Sequence, residues 1–136
     1  MTPQSFKGKI LIIDDDEKIS EFLRLFFSKK GFEVGVVIEA EEAEKSIELQ
    51  KPDLIFLDYR MTPITGKDIL ERLKIRGDQT PVVMMSAYKR RHGDLEMKRL
   101  GALTYLAKPF DFEEIEEILD RVFGSKSATK AQRHEE

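Results

Sequence analysis

Five short apolar runs, each too brief to be a helix of its own, alternate along this chain with five segments whose apolar residues recur every three or four positions. The first run, KILIID from Lys9 to Asp14, has the length and β-branched content of a strand buried on both faces. From Glu17 to Lys30 the residues Ile19, Phe22, Leu23, Phe26 and Phe27 form an amphipathic helical stripe, and Gly31 after Lys29 and Lys30 is a stop signal. The alternation continues with FEVGVVI as a strand, Ala40 to Leu49 as a helix, Asp53 to Asp58 as a strand and Gly66 to Ile75 as a helix. Pro81 then opens the strand VVMM, Arg91 to Leu100 reads as a helix closed by Gly101, ALTYLA as a short strand, and Phe112 to Phe123 as a last helix with Ile115, Ile118, Leu119 and Val122 on one face. Strands and helices in strict alternation predict an α/β fold, a five-stranded parallel sheet with helices on both faces.

A chain of 136 residues with 40% apolar and 36% charged content suits one domain. The boundaries read as an N-terminal extension over 1–7, in which Phe6 can cover an edge of the core, a folded domain over 8–124, and an expected disordered tail or linker over 125–136. No apolar run approaches membrane-spanning length and MTPQSFKGK lacks a signal-peptide core, so a cytoplasmic location is expected. The absence of cysteine excludes disulfides and thiolate chemistry, and His92 and His134 are too far apart for ligand spacing, so any metal must be hard and held by oxygen. A net charge of -3 argues against direct nucleic-acid binding.

Ligands in open parallel sheets sit beyond the carboxyl ends of the strands. There the chain places Asp14, Asp15 and Asp16 after the first strand, Asp58 at the end of the third, Ser86 at the end of the fourth, and Lys108 and Pro109 after the fifth. Clustered carboxylates repel one another, and a cation relieves that; two or three of them suit Mg²⁺, with Mn²⁺ a possible substitute. With Lys108 and a hydroxyl beside the metal, a phosphoryl group would be held as phosphorus is attacked. Asp58, fixed by a buried strand, is the nucleophile candidate. Taken singly, each element has a plainer use: acids favour a helix N-terminus, Lys-Pro makes a turn, and a serine ends a strand.

In KILIIDDDEKI, KPDLIFLDYRM with Gly66 after it, PVVMMSAY and GALTYLAKPF, in this order and spacing, the chain resembles the receiver domains of bacterial two-component response regulators from Lys9 to Phe123. The resemblance implies a flavodoxin-like, doubly wound sheet of order 2-1-3-4-5. It also implies a switch rather than an enzyme, with Asp58 as phosphoacceptor from a sensor histidine kinase or phosphotransfer protein. Asp15 would ligate Mg²⁺ directly and Asp14 through water, together with Asp58 and the Arg60 backbone carbonyl. Lys108 would pair with the acyl phosphate and be joined to Pro109 by a cis peptide bond. Ser86 and the Ala87 N–H would close on the phosphate, Tyr105 would turn inward, and the face of the fourth helix, fifth strand and fifth helix would change toward a downstream protein or a second copy.

Several positions depart from the family's common pattern: Thr62 stands where proline is usual, Pro63 follows one place later, Thr65 replaces an acid before Gly66, and Ser86 replaces threonine. Arg60 and Tyr88 occupy positions that govern how fast water attacks the acyl phosphate, and their bulk predicts a long-lived phosphorylated form. Arg90, Arg91, His92, Lys98 and Arg99 make the fourth helix region basic, as a partner surface or as a solvated face. The competing reading, a Mg²⁺-dependent phosphohydrolase of the haloacid dehalogenase type, finds Asp16 two residues after Asp14 but Lys18 where a small hydroxyl or valine belongs. A flavodoxin would need a phosphate loop where this chain has acids.

Overall fold

The computed structural model describes residues 5–87 and 91–124, with side chains described outside 91–94. Strands β1 (Lys9–Ile13), β2 (Glu33–Val37), β3 (Leu54–Asp58), β4 (Val82–Ser86) and β5 (Thr104–Ala107) alternate with helices α1 (Glu17–Lys29), α2 (Ala43–Gln50), α3 (Gly66–Ile75), α4 (Arg91–Arg99) and α5 (Phe112–Phe123). All strand pairs are parallel, in the order β2-β1-β3-β4-β5.

The period-two pleat divides the core. Ile10 and Ile12 of β1, Leu54 and Phe56 of β3, and Val83 and Met85 of β4 join Leu23 and Phe27 of α1 and Ile115, Ile118 and Leu119 of α5. Leu11, Ile13, Ile55, Leu57 and Met84 face the other way, against Ile47 of α2, Ile69, Leu70 and Leu73 of α3, and Met97 of α4. Thus α1 and α5 cover one face and α2, α3 and α4 the other, which is why β1, β3 and β4 read as unbroken apolar runs. Phe27 crosses from α1 to meet Phe56 at 4.9 Å between ring centroids.

Local signals set the element ends. Gly31 and Gly101 both take the left-handed φ that lets the chain turn after a helix, at 99° and 108°. The second helix differs from its sequence reading: Ala40–Glu42 is a 3-10 turn and the α-helix begins at Ala43. Glu39 supplies no side-chain cap there, and the turn tightens through the Glu42 N–H donating to the Glu39 carbonyl at 3.0 Å. Asp53 stands just outside β3, its carboxylate accepting from the Lys9 N–H at 2.8 Å and so locking the start of β1. The fifth strand is shorter than ALTYLA suggested, starting at Thr104. Phe6 remains 44% exposed and is not part of the core.

Candidate functional site

The connections through α1 and α3 leave β1 and β3 in opposite directions, so the carboxyl ends of these adjacent strands form the crevice of the sheet. Asp14 follows β1 there and Asp58 ends β3; both side chains are buried. The Lys108 ammonium lies between them, donating to Asp14 Oδ2 at 2.8 Å and to Asp58 Oδ1 at 2.9 Å. Lys108 reaches this position because its backbone N–H donates to the Ser86 carbonyl at 2.8 Å, continuing the pairing of β5 with β4. The Lys108–Pro109 bond is cis.

The three acids after β1 have separate surroundings. Asp14 Oδ1 accepts from the Asp16 N–H at 3.0 Å. Asp16 points away from the crevice and caps α1, accepting from the N–H groups of Lys18 and Ile19 at 3.0 and 3.2 Å. Asp15 is exposed, and its carboxylate joins those of Asp14 and Asp58 in a group whose oxygens lie within 4.8 Å of one another. Burial pushes the Asp14 carboxyl above its ordinary value, against the bonds from Lys108 and the Asp16 N–H, and the nearby charge of Asp58 pushes the same way. Burial of the Lys108 ammonium opposes its charge, but the bonds to Asp14 and Asp58 prevail and raise its pKa. Three carboxylates facing one ammonium leave the crevice net negative. This set of hard oxygen donors fits a small divalent cation.

Of the other residues singled out, Ser86 ends β4 and is buried, while Ala87 beside it is exposed. Arg60 is exposed just past Asp58. Tyr105, half-buried on β5 opposite Met84, packs on the cluster facing α3 and α4. Tyr88 and Arg90 lie outside the described residues, as do the side chains of Arg91 and His92.

The unusual loop after Asp58 resolves into a packed bridge. Met61 is buried, the Thr62–Pro63 bond is cis, and Thr65 is the N-cap of α3: its hydroxyl accepts from the Asp68 N–H and the Asp68 carboxylate accepts from the Thr65 N–H, both at 3.1 Å. Gly66 then lies so close to Asp58 that a Cβ would stand 2.3 Å from the Asp58 carbonyl oxygen. Thr65 therefore serves as the cap of α3, a job that an acid at this position can also do. Its signal was legible as Thr-x-x-Asp before an apolar run. Ser20 also escaped the sequence reading; it is buried, and its hydroxyl donates to the Asp14 carbonyl at 3.0 Å. A small polar residue on the apolar stripe of α1 was its signal.

Comparison with known proteins bears on the same residues. The profile of the family described as "Response regulator receiver domain" matches residues 10–120. Sporulation initiation phosphotransferase F of Bacillus subtilis (strain 168) is 36% identical over 123 residues, covering 88% of this chain and 96% of that protein. Regulatory protein AtoC of Escherichia coli (strain K12) is 32% identical over 93% of this chain, which spans 28% of AtoC's length. Among solved structures, the receiver domain of Francisella response regulator 1452 superposes with a TM-score of 0.82 at 28% identity, over 88% of this chain and 98% of that one. The chemotaxis protein CheY4 of Vibrio cholerae gives a TM-score of 0.78 at 26% identity, over 87% and 99%. The matched span runs through both acidic strand ends, the Ser86 strand and the Lys108 turn, and nothing in these comparisons supports a phosphohydrolase. This chain belongs to the response regulator receiver domains, phosphorylation-activated switches of two-component signalling.

Proposed function

We propose that Asp58 is the residue phosphorylated, and that the phosphoryl group comes from the phosphohistidine of a sensor histidine kinase or phosphotransfer protein. The observation that carries this reading is the Lys108 ammonium held 2.9 Å from a buried Asp58 carboxylate with two further acids alongside. An Asp58 oxygen attacks phosphorus, an O–P bond forms, and the P–N bond to the donor imidazole breaks. Lys108 neutralises oxygens of the transferred group while its backbone, paired to Ser86, keeps the ammonium in place. A bound Mg²⁺ or Mn²⁺, held by Asp14, Asp15, Asp58 and the Arg60 carbonyl, supplies further neutralisation of the phosphoryl oxygens.

The Ser86 hydroxyl and the Ala87 N–H then bond the new phosphate, and Tyr105 turns inward. Reversing a two-state equilibrium from 1:99 to 99:1 takes about 5.5 kcal/mol of differential stabilisation. One charge-assisted hydrogen bond contributes roughly 1.5–3 kcal/mol, so the Tyr105 rearrangement and the loops must supply the rest. The surface that changes is made by α4, β5 and α5, and it engages a downstream protein or a second copy, so the chain is a monomer or a phosphorylation-dependent dimer. The phosphatase activity is limited to slow self-dephosphorylation.

Two kinds of output fit the relatives. A phosphotransferase, as the Bacillus relative is named, passes the group on; the longer relatives, the regulatory protein AtoC and the Bacillus subtilis transcriptional regulatory protein PhoP, of which this chain spans 28% and 45%, suggest an attached output domain. Neither requires this domain to touch nucleic acid or membrane, and none of its described helices is long and apolar enough to cross one. A cytoplasmic location suits both.

Incubation with Mg²⁺ and acetyl phosphate, followed by intact mass measurement, tests the proposal. A single phosphoryl adduct that is absent in Asp58→Asn and in EDTA supports it. Turnover of phosphate esters with no adduct would favour a phosphohydrolase instead.

A further inference from the structure

Ser20 lies on the buried stripe of α1 with Leu23 and Phe27, at 1% exposure. A hydroxyl in such surroundings is costly unless it is bonded. Inside a helix, a serine hydroxyl that bonds locally turns to the carbonyl three or four residues earlier. Here the Asp16 carbonyl already accepts from the Ser20 backbone N–H at 3.0 Å. The hydroxyl instead reaches back past the start of the helix to the carbonyl of Asp14, six residues earlier, at 3.0 Å.

That carbonyl belongs to the peptide at which the chain leaves β1. The Asp14 N–H is tied to the sheet, donating to the Val37 carbonyl at 3.0 Å, and its carboxylate is tied to the Asp16 N–H and to Lys108. With the carbonyl anchored to α1 as well, the plane of the peptide joining Asp14 to Asp15 is set from two sides. The exposed Asp15 carboxylate projects from the far end of that peptide into the three-acid cluster.

We propose that Ser20 is a positioning residue for the cation site, acting through the Asp14 carbonyl to fix where the Asp15 carboxylate stands relative to Asp14 and Asp58. This rests on reading those three acids as the metal site. A ligand carried by a loosely held peptide must be ordered when the cation binds, and that ordering lowers affinity. The alternative is that Ser20 only satisfies a buried carbonyl and contributes to stability alone.

Mn²⁺ binding, followed as the loss of the free-ion electron paramagnetic resonance signal, separates these. The proteins titrated are the wild type, Ser20→Ala and the remote core variant Ile47→Val, each shown to be folded by circular dichroism. Ser20→Ala is expected to raise the Mn²⁺ Kd about tenfold, the lower end of what outer-shell partners of metal ligands contribute. Ile47→Val, which loses stability without touching the site, is expected to keep the wild-type Kd. If Ser20→Ala does not fold, Ser20→Cys, with its weaker S–H donor, takes its place and should show a smaller rise. A folded Ser20 variant with the wild-type Kd, or an equal rise in Ile47→Val, overturns the assignment. A wild type that leaves the Mn²⁺ signal unchanged overturns the metal site itself.

Discussion

Lys108 and Asp58, fifty positions apart in sequence, meet at 2.9 Å, and the same ammonium reaches Asp14 at 2.8 Å. One cation thus serves two buried carboxylates. Replacing Lys108 with methionine leaves both without it, and removing one partner of a buried charge pair costs about 3 kcal/mol or more at pH 7. Urea unfolding of Lys108→Met in EDTA should show that loss, and added Mg²⁺ should recover part of it by taking over the neutralisation. Equal stability of the two proteins in EDTA would refute this.

The pH dependence has the same sign in two separate windows, stability falling as pH rises. The folded-state pKa of Lys108 lies above its ordinary 10.5, so its contribution is fully present below 10.5 and is lost as pH rises through the raised value. Asp14 is raised above 3.8 by burial, so the folded protein holds that proton more tightly than the unfolded chain does. Its favour toward folding is present in acid and is lost as pH climbs from 3.8 through the raised value. In EDTA at pH 7, Asp14→Asn should therefore melt a few degrees above wild type and lose that advantage in acid. A lower melting temperature at pH 7 would contradict the burial argument.

Gly66 touches the backbone of the acid it serves. A methyl at that position would meet the Asp58 carbonyl oxygen at 2.3 Å and the Tyr59 Cα at 2.9 Å, neither of which is a flexible side-chain end. Gly66→Ala should destabilise the domain by roughly 2–3 kcal/mol and slow acetyl phosphate labelling, with both read on one purified sample. Unchanged labelling and stability would show that the loop yields easily.

Arg60 is exposed two residues after Asp58, and on the reading proposed above its long side chain would obstruct water approaching an acyl phosphate. Decay of the phosphorylated protein should quicken several-fold in Arg60→Ala and again in Tyr88→Ala. No acceleration in either variant would remove the case for a long-lived phosphorylated form.

The fold was legible because each face of the sheet is covered: Leu11 and Ile12 point to opposite helical layers, and both must be apolar, so β1 shows as an unbroken run. The site was legible because the crevice of such a sheet lies at strand ends, where Asp14, Asp58 and Lys108 stand. What the sequence hid is how adjacent, chemically identical residues divide the work. Asp14, Asp15 and Asp16 look alike in a row, yet one is buried against Lys108, one is exposed in the cluster and one caps a helix, because the three make up the turn from the end of β1 to the start of α1. The start of α2 was hidden for a related reason: Glu39 precedes good helix formers but supplies no cap, and only the local backbone decides between an α and a 3-10 first turn. Ser20 was overlooked because its partner is a backbone carbonyl, which leaves no trace in residue type.

The central claim is that Asp58 receives the phosphoryl group. Borohydride reduction of the acetyl phosphate-treated protein converts an aspartyl phosphate to homoserine, which peptide sequencing by mass spectrometry can place. The account predicts homoserine at position 58 alone, in the presence of Mg²⁺ and not in EDTA. Homoserine at position 14 or 15 with aspartate intact at 58, or labelling that persists in Asp58→Asn at the wild-type level, would contradict it.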